Sequence, residues 1–335
     1  MPATVVVTRR LPAPVEQRLA ARHAVTLNPE DRALSPAELV DALRTADVVL
    51  CTLTDRLDAA LLARAAAAGG IRARLLANFG VGTNHVDLAA ARRHGLVVTN
   101  TPGVLTEDTA DVAIALLLMA ARRLSEGERI LRAGAWTGWA PTNLLGRSLG
   151  GCTLGIVGFG RIGQAVARRA HHGFGLRIAY LNPSPRDAEA AAVGAVRCAS
   201  LEALLATSDA VSIHCPATPG TRHLFDARAL AAMRPGAILV NTARGDVVDE
   251  AALVAALTHG PLGAAGLDVY ADEPRVSAAL LALPNAVLAP HLGSATTATR
   301  TAMGHRAVDN LEAFLAGQEP PDRVATGQGG DGRRG

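Results

Sequence analysis

The chain has 335 residues, more than one ordinary hydrophobic core organises, so two domains are expected. Its residues are 49% apolar but only 3% aromatic, so Ala, Val and Leu carry the packing, as suits helices laid on parallel strands. The net charge of +3 is small, and the basic residues form no stripe with interleaved aromatics, which argues against a nucleic-acid partner.

Lysine is absent, which excludes a Schiff-base lysine and a Walker-type phosphate loop. Cys51, Cys152, Cys198 and Cys215 are widely spaced with no CxxC pair, so they read as reduced, buried thiols and not as a disulfide framework or metal site. The N-terminus reads as a first strand, not a signal peptide, and no apolar run reaches membrane-spanning length. A soluble, cytoplasmic protein with no membrane partner and no catalytic metal is expected.

Residues 1–101 alternate short apolar strands (4–7, 47–52, 74–78 and 96–100) with amphipathic helices (14–22, 36–46 and 58–67). That alternation predicts a parallel α/β layer structure. Residues 109–123 predict a long helix, so apolar that burial on all sides is expected, as in a domain crossover or subunit contact. Residues 133–141, which hold Trp136 and Trp139, read as an ordered loop. A second α/β series begins at Thr153, with strands expected at 154–157, 177–181, 210–214, 237–241, 264–268 and 286–288. A helix over 297–316 follows the last strand, which suits its return to the N-terminal domain. The expected organisation is a discontinuous domain of residues 1–101 and 293–318, a central dinucleotide-binding domain of 102–292, and a disordered tail of 319–335, rich in Gly, Pro and charge.

Gly158-Phe-Gly-Arg-Ile-Gly163 follows an apolar strand and opens a helix, the context in which a GxGxxG turn binds a dinucleotide. Gly158 permits the tight turn, Gly160 the approach of a pyrophosphate to backbone N–H groups, and Gly163 close packing of helix on strand. Arg161 stands beside the phosphates. An NAD site usually carries an acid about 20 residues on, but Tyr180-Leu-Asn-Pro-Ser-Pro-Arg186 has none. Asn182 sits near the expected position, and Ser184 and Arg186 can contact a 2′-phosphate. NADP(H) is favoured over NAD(H), which Asn182 can also serve.

Three further segments each place a polar residue after an apolar run. Arg244 lies in Asn241-Thr-Ala-Arg-Gly-Asp246, and its planar fork suits two oxygens of a 2-oxo acid. Glu273 lies in Asp272-Glu-Pro274 and can favour a protonated imidazole. His291, in Pro290-His-Leu-Gly-Ser-Ala-Thr296, can protonate a carbonyl oxygen as hydride reaches carbon. Asp268 ends its strand and can bind a nicotinamide amide, or else cap a turn. Asn78-Phe-Gly-Val-Gly-Thr83 presents backbone amides able to hold a carboxylate.

In this order the motifs resemble those of the D-isomer-specific 2-hydroxyacid dehydrogenases, and within them the glyoxylate/hydroxypyruvate and 2-ketogluconate reductases. The resemblance spans residues 45–318 and includes Thr99-Asn-Thr-Pro-Gly103 and Thr109-Ala-Asp111. It implies two Rossmann-like domains with parallel sheets and an active site in the cleft between them. It also implies substrate held by Arg244 and by the amides of Val81 and Gly82, with His291 as acid/base and Glu273 as its partner. Thr109, Arg161, Ile162, Pro216, Thr242, Asp268 and Gly293 would line the cofactor. A homodimer joined through the cofactor domains is implied, with the helix at Thr109 and the tryptophan loop at the junction. Family members that use NADP often carry Arg directly after the position of Asn182; here it is Pro183, and Arg186 is the substitute at hand. The expected activity is reduction of a small 2-oxo acid to a D-2-hydroxy acid, with glyoxylate or hydroxypyruvate first and 2-ketogluconate next. The alternatives are a dinucleotide-sensing corepressor-type protein and a dehydrogenase of another small anion such as phosphite.

Overall fold

The computed structural model describes residues 2–325. Its first stretch runs β1 (Thr4–Val7), α1 (Ala13–Ala20), β2 (Ala24–Thr26), α2 (Pro36–Thr45), β3 (Val48–Thr52), α3 (Ala59–Ala67), β4 (Leu75–Phe79), α4 (Leu88–Arg93) and β5 (Val97–Thr99). Next come α5 (Thr106–Ala121), α6 (Leu124–Arg132), β6 (Thr153–Val157), α7 (Arg161–Phe174), β7 (Arg177–Leu181), α8 (Asp187–Ala191), β8 (Val196–Arg197), α9 (Leu201–Thr207) and β9 (Ala210–Ile213). The chain closes with α10 (Ala227–Ala231), β10 (Ala237–Asn241), α11 (Glu250–Thr258), β11 (Leu262–Leu267), α12 (Ala278–Leu281), β12 (Ala286–Leu288) and α13 (Thr297–Leu315).

Two compact units result. One joins residues up to Leu105 with the segment from Thr296; the other is Thr106–Ala295. The junctions therefore fall at 105/106 and 295/296, a few residues beyond the expected 101/102 and 292/293: the second unit opens only at the first residue of α5 and keeps the loop after β12.

The first unit is a five-stranded parallel sheet in the order β2-β1-β3-β4-β5. Apolar clusters cover both faces, one under α2 and α3 and one under α1 and α13. Burial on both faces is why β3 and β4 are mostly apolar, with Asn78 the polar exception inside β4. Ser35, Asp58 and Asp87 accept from backbone amides at the starts of α2, α3 and α4. The expectation of disorder fails for residues 319–325. Val324 N–H donates to Val98 O, and Arg306 forms a two-pronged ion pair with Asp322. The rest of that expected tail, 326–335, lies outside the described residues.

The second unit is a seven-stranded parallel sheet in the order β12-β11-β10-β9-β6-β7-β8. Its order reverses between β6 and β9, so the crevice at their carboxyl ends is where such sheets take ligands. Helix α5 packs on β10, β11 and α7. It buries Ala110, Ala113, Ile114, Leu116 and Leu117, but Asp111 and Ala115 stay exposed. Within the single chain the helix thus buries one broad face against the sheet and leaves the other side uncovered. Helix α6, for which the sequence carries no expectation, buries none of its residues.

Candidate active site

Neighbouring parallel strands end at one edge, so β10, β11 and β12 deliver the residues after them to adjacent positions. Arg244 follows β10, Asp268 and Glu273 follow β11, and His291 follows β12.

His291 Nδ1 lies 2.8 Å from Glu273 Oε2. Burial raises the Glu273 carboxyl pKa, but the His291 hydrogen bond and charge, the Tyr270 amide and the Arg244 charge outweigh it, and the net shift is downward. An ionised carboxylate can only accept, so Nδ1 carries the hydrogen of that bond and Nε2 is left to take up or give a proton. The His291 backbone has φ of 57°, a left-handed conformation in which its amide donates to Ala289 O at 3.1 Å. This tight turn throws the imidazole back toward Glu273.

Asp268 holds that turn. One of its carboxylate oxygens accepts from Leu292 N–H at 2.6 Å and the other from Gly293 N–H at 2.8 Å. Thr109 Oγ1 donates to Gly293 O at 3.0 Å, closing the clamp from α5. Burial raises the Asp268 pKa against the pull of those two amides. Of the two roles open to Asp268 in the sequence, the turn-holding one is visible.

Arg244 is half-buried, and burial lowers its pKa while Glu273 opposes the shift. Its Nη1 donates to Ala243 O at 2.6 Å. Asn241 fixes the turn, donating to Arg244 O at 2.9 Å and accepting from Ala243 N–H at 3.0 Å. At Gly245 a Cβ would sit 2.0 Å from the Tyr270 carbonyl carbon, so only glycine lets the Arg244 turn pass against the Glu273 turn. Tyr270 links the remaining pair: its amide donates to Glu273 Oε1 at 3.0 Å and its hydroxyl to Ala289 O at 2.9 Å. Asn241, Gly245 and Tyr270 carry no role in the sequence reading. Asn241 and Gly245 sit inside a quoted motif, and their position there was the available signal.

The glycine turn follows β6. Gly158 has φ of 94°, and a Cβ there would lie 2.5 Å from Cys215 N; at Gly163 it would lie 2.2 Å from Gly158 O. At Gly160, by contrast, a Cβ would meet nothing within 4 Å. Gly160 is also the N-cap of α7, and it supplies no side-chain cap, so the first amides of the helix lack that acceptor. Phe159 is fully buried and stacks on Tyr180 with ring centroids 4.4 Å apart, anchoring the turn to β7. Arg161 is exposed at the first position of α7, while Ile162 packs into the core. The Thr242 hydroxyl, at the end of β10, is buried with no hydrogen-bond partner. Pro216 follows β9, its carbonyl accepting from Thr221. These features fit a dinucleotide: an uncapped helix end for the pyrophosphate, an open cradle at Gly160 and an orphaned hydroxyl nearby in the sheet order.

Asn182 turns inward. Its Oδ1 accepts from Phe159 N–H at 3.0 Å, and its Nδ2 donates to Ser184 O at 2.9 Å. Ser184 is exposed, and Arg186 is half-buried with Nε lacking a partner. Arg197 in β8, not singled out in the sequence, donates to the carbonyls of Asn182 and Pro183 at 3.1 and 3.0 Å. In the first unit, Val81 and Gly82 lie just past β4, Val81 exposed and Gly82 half-buried. Among the described residues no group of three or more His, Cys, Asp or Glu is placed to hold a metal, and no helix is long and apolar enough to cross a membrane.

A reversed parallel sheet, a GxGxxG turn and an imidazole–carboxylate pair on one sheet edge define a nicotinamide-dependent oxidoreductase. Residues 114–293 match the family described as D-isomer specific 2-hydroxyacid dehydrogenase, NAD binding domain. The chain is 41% identical over 328 residues to a glyoxylate reductase of Thermococcus litoralis, covering 97% of each. It is 37% identical over 316 residues to a glycerate dehydrogenase of Hyphomicrobium methylovorum, covering 94% of this chain and 97% of the other. Among solved structures, an NADPH-dependent glyoxylate/hydroxypyruvate reductase of Sinorhizobium meliloti, in complex with NADP and malonate, superposes with a TM-score of 0.85. It is 37% identical, over 97% of this chain and 98% of that one. The chain belongs to the D-isomer specific 2-hydroxyacid dehydrogenase family, oxidoreductases that use a nicotinamide cofactor on small 2-oxo and 2-hydroxy acids.

Proposed function

We propose that this chain reduces glyoxylate and hydroxypyruvate to the corresponding 2-hydroxy acids, with D configuration where C2 becomes chiral, using NADPH in preference to NADH. The observation that carries the reading is the 2.8 Å His291–Glu273 pair, which leaves Nε2 as the proton-carrying atom on the edge that Arg244 shares. When bound, the reduced nicotinamide supplies a hydride to C2. His291 delivers the proton to the carbonyl oxygen, and Glu273 stabilises the imidazolium before that transfer. Arg244 binds the carboxylate and carbonyl oxygens with its fork, and the Val81 and Gly82 amides hold the carboxylate. Gly158, Gly160, Gly163, Arg161 and Ile162 receive the pyrophosphate, with Thr109, Pro216, Thr242, Asp268 and Gly293 along the remainder of the dinucleotide.

The preference for NADPH rests on an acid-free turn after β7 and on Ser184, Arg186 and Arg197 around it. Relatives named glyoxylate reductase and a neighbour solved with NADP support both the substrate and the cofactor. A homodimer is part of the same reading: Leu124, Leu131, Trp136 and Trp139 are exposed on α6 and the loop after it, an apolar surface that a second copy would cover.

The test is a panel of glyoxylate, hydroxypyruvate, pyruvate and 2-ketogluconate against NADPH and NADH, run on wild type and His291→Ala. Wild type is expected to turn over the first two fastest with NADPH. The variant is expected to lose ~10³-fold or more in kcat with dinucleotide affinity near normal. Wild-type turnover by His291→Ala would refute the proton-donor role. Activity with NADH alone would refute the cofactor preference. Tight dinucleotide binding without turnover of any 2-oxo acid would favour a corepressor-type protein.

A further inference from the structure

The carbonyls of loop 80–82 are held from one side. Asn78 Nδ2 donates to Gly80 O and to Gly82 O, each at 3.0 Å. Thr101 N–H donates to Gly80 O at 3.0 Å, and Asn100 Nδ2 donates to Val81 O at 2.9 Å. In a trans peptide the N–H points opposite to the C=O. Fixing the carbonyls of Gly80 and Val81 therefore fixes where the N–H groups of Val81 and Gly82 aim, away from Asn78 and Asn100. The direction of the two amides is set by the asparagines behind them.

Asn100 is itself held at a distance of more than 200 residues in sequence. Its carbonyl accepts from Asn310 Nδ2 at 3.2 Å, and its amide donates to Asp322 O at 3.2 Å. Asn310, in α13, is fully buried. Its Nδ2 also donates to Asp322 Oδ2 at 2.9 Å, and its Oδ1 accepts from Asp322 N–H at 2.9 Å. Arg306 closes on the same carboxylate at 2.6 and 2.8 Å. A buried amide that exchanges hydrogen bonds with both the strap and Asn100 has little freedom to move without moving both.

We propose that Asn100, Asn310 and Asp322 are positioning residues for substrate, through which the 319–325 strap sets the aim of the Val81 and Gly82 amides. The proposal rests on the reading of those amides as the carboxylate site. It makes a segment far from the His291 edge in sequence a determinant of KM.

The experiment uses the full chain with Asn100→Ala, Asp322→Ala, their combination, and Gly82→Pro. For each, kcat and KM for glyoxylate, dinucleotide affinity and Tm are measured. Asn100→Ala and Asp322→Ala are each expected to raise KM ~10-fold, with kcat and dinucleotide affinity within about 2-fold of wild type. The double variant is expected to be little worse than the weaker single, because both changes act through one element. Should Asp322→Ala fail to fold, Asp322→Asn retains the Asn310 contact and weakens only the Arg306 pair; a KM rise of about 3-fold is then expected. Lowered Tm with unchanged KM, or fully additive KM effects, would overturn the proposal. Gly82→Pro removes one amide donor and separates the two failures. Unchanged KM there sinks the carboxylate-site reading and this proposal with it. A raised KM there, with Asn100→Ala and Asp322→Ala unaffected, sinks the strap alone.

Discussion

Replacing Gly160 by Ala separates binding from folding at the glycine turn. The backbone there has φ of −81° and ψ of −166°, which alanine adopts freely, and the added Cβ meets no atom within 4 Å. Folding stability should therefore change by less than about 1 kcal/mol. The methyl group instead occupies the space through which a pyrophosphate reaches the amides at the start of α7. Each hydrogen bond from those amides to a charged phosphate contributes about 1.5–3 kcal/mol, so displacing one or two costs about 3 kcal/mol, a ~100-fold weaker Kd. Gly163→Ala is the control of opposite kind. Its Cβ would stand 2.2 Å from Gly158 O, a backbone atom with no room to retreat, so that variant should lose stability as well as binding. Titration calorimetry with NADPH, paired with thermal unfolding of the unliganded protein, reads both quantities. Wild-type affinity in a folded Gly160→Ala would refute the assignment of the pyrophosphate to this turn.

Arg244→Lys keeps the charge but not the fork, so KM for the 2-oxo acid should rise ~10–100-fold while dinucleotide affinity holds; unchanged KM would show that two-pronged binding is not used. Glu273→Gln keeps a hydrogen-bond acceptor for Nδ1 but removes the charge that stabilises imidazolium, so kcat for reduction should fall ~10-fold or more with dinucleotide affinity near normal. An unchanged kcat would count against Glu273 as the partner of His291. His214, bonded to Ser212 Oγ at 2.8 Å, is pushed down to about 3 by burial from its usual 6.5. The folded state therefore binds fewer protons than the unfolded state between those values. Its contribution is complete above pH 6.5 and is lost as pH falls toward 3, with a slope of at most about 1.4 kcal/mol per unit, the ceiling for a single proton. Denaturant unfolding at pH 7 and pH 5 should show a smaller loss in His214→Gln than in wild type; equal losses would assign the slope to other groups.

Much of the second unit is legible in sequence because its signals are local. An apolar run, a glycine that must take a positive φ and a glycine that must admit a backbone atom are short-range steric demands, so β6, the 158–163 turn and α7 can be read together. The positions of Arg244, Glu273 and His291 after three strands are legible for the same reason. Their assembly on one edge follows from the order β12-β11-β10, which requires only that consecutive parallel strands become neighbours.

The partners of the polar groups were not legible. Asp268 takes the amides of Leu292 and Gly293 across 24 and 25 residues, and Asn310 takes the carbonyl of Asn100 across 210. Nothing in the immediate neighbourhood of either residue distinguishes those partners from solvent. The inward turn of Asn182 is hidden likewise, since it depends on Phe159 being pinned against Tyr180. Composition predicts disorder for the tail from 319 because it counts Gly, Pro and charge, whereas residues 319–325 are held by the Arg306 ion pair and the buried Asn310 amide of α13 and by the Val324 bond to Val98. The sequence by itself thus determined most of the long elements, the glycine turn and the residue types that follow β10, β11 and β12, which are local steric and chemical facts. Only the tertiary structure decided what holds the His291 turn, which way the loop 80–82 carbonyls face and what fixes residues 319–325. Hydrogen bonds between distant residues are chosen by packing, and packing is a property of the whole fold.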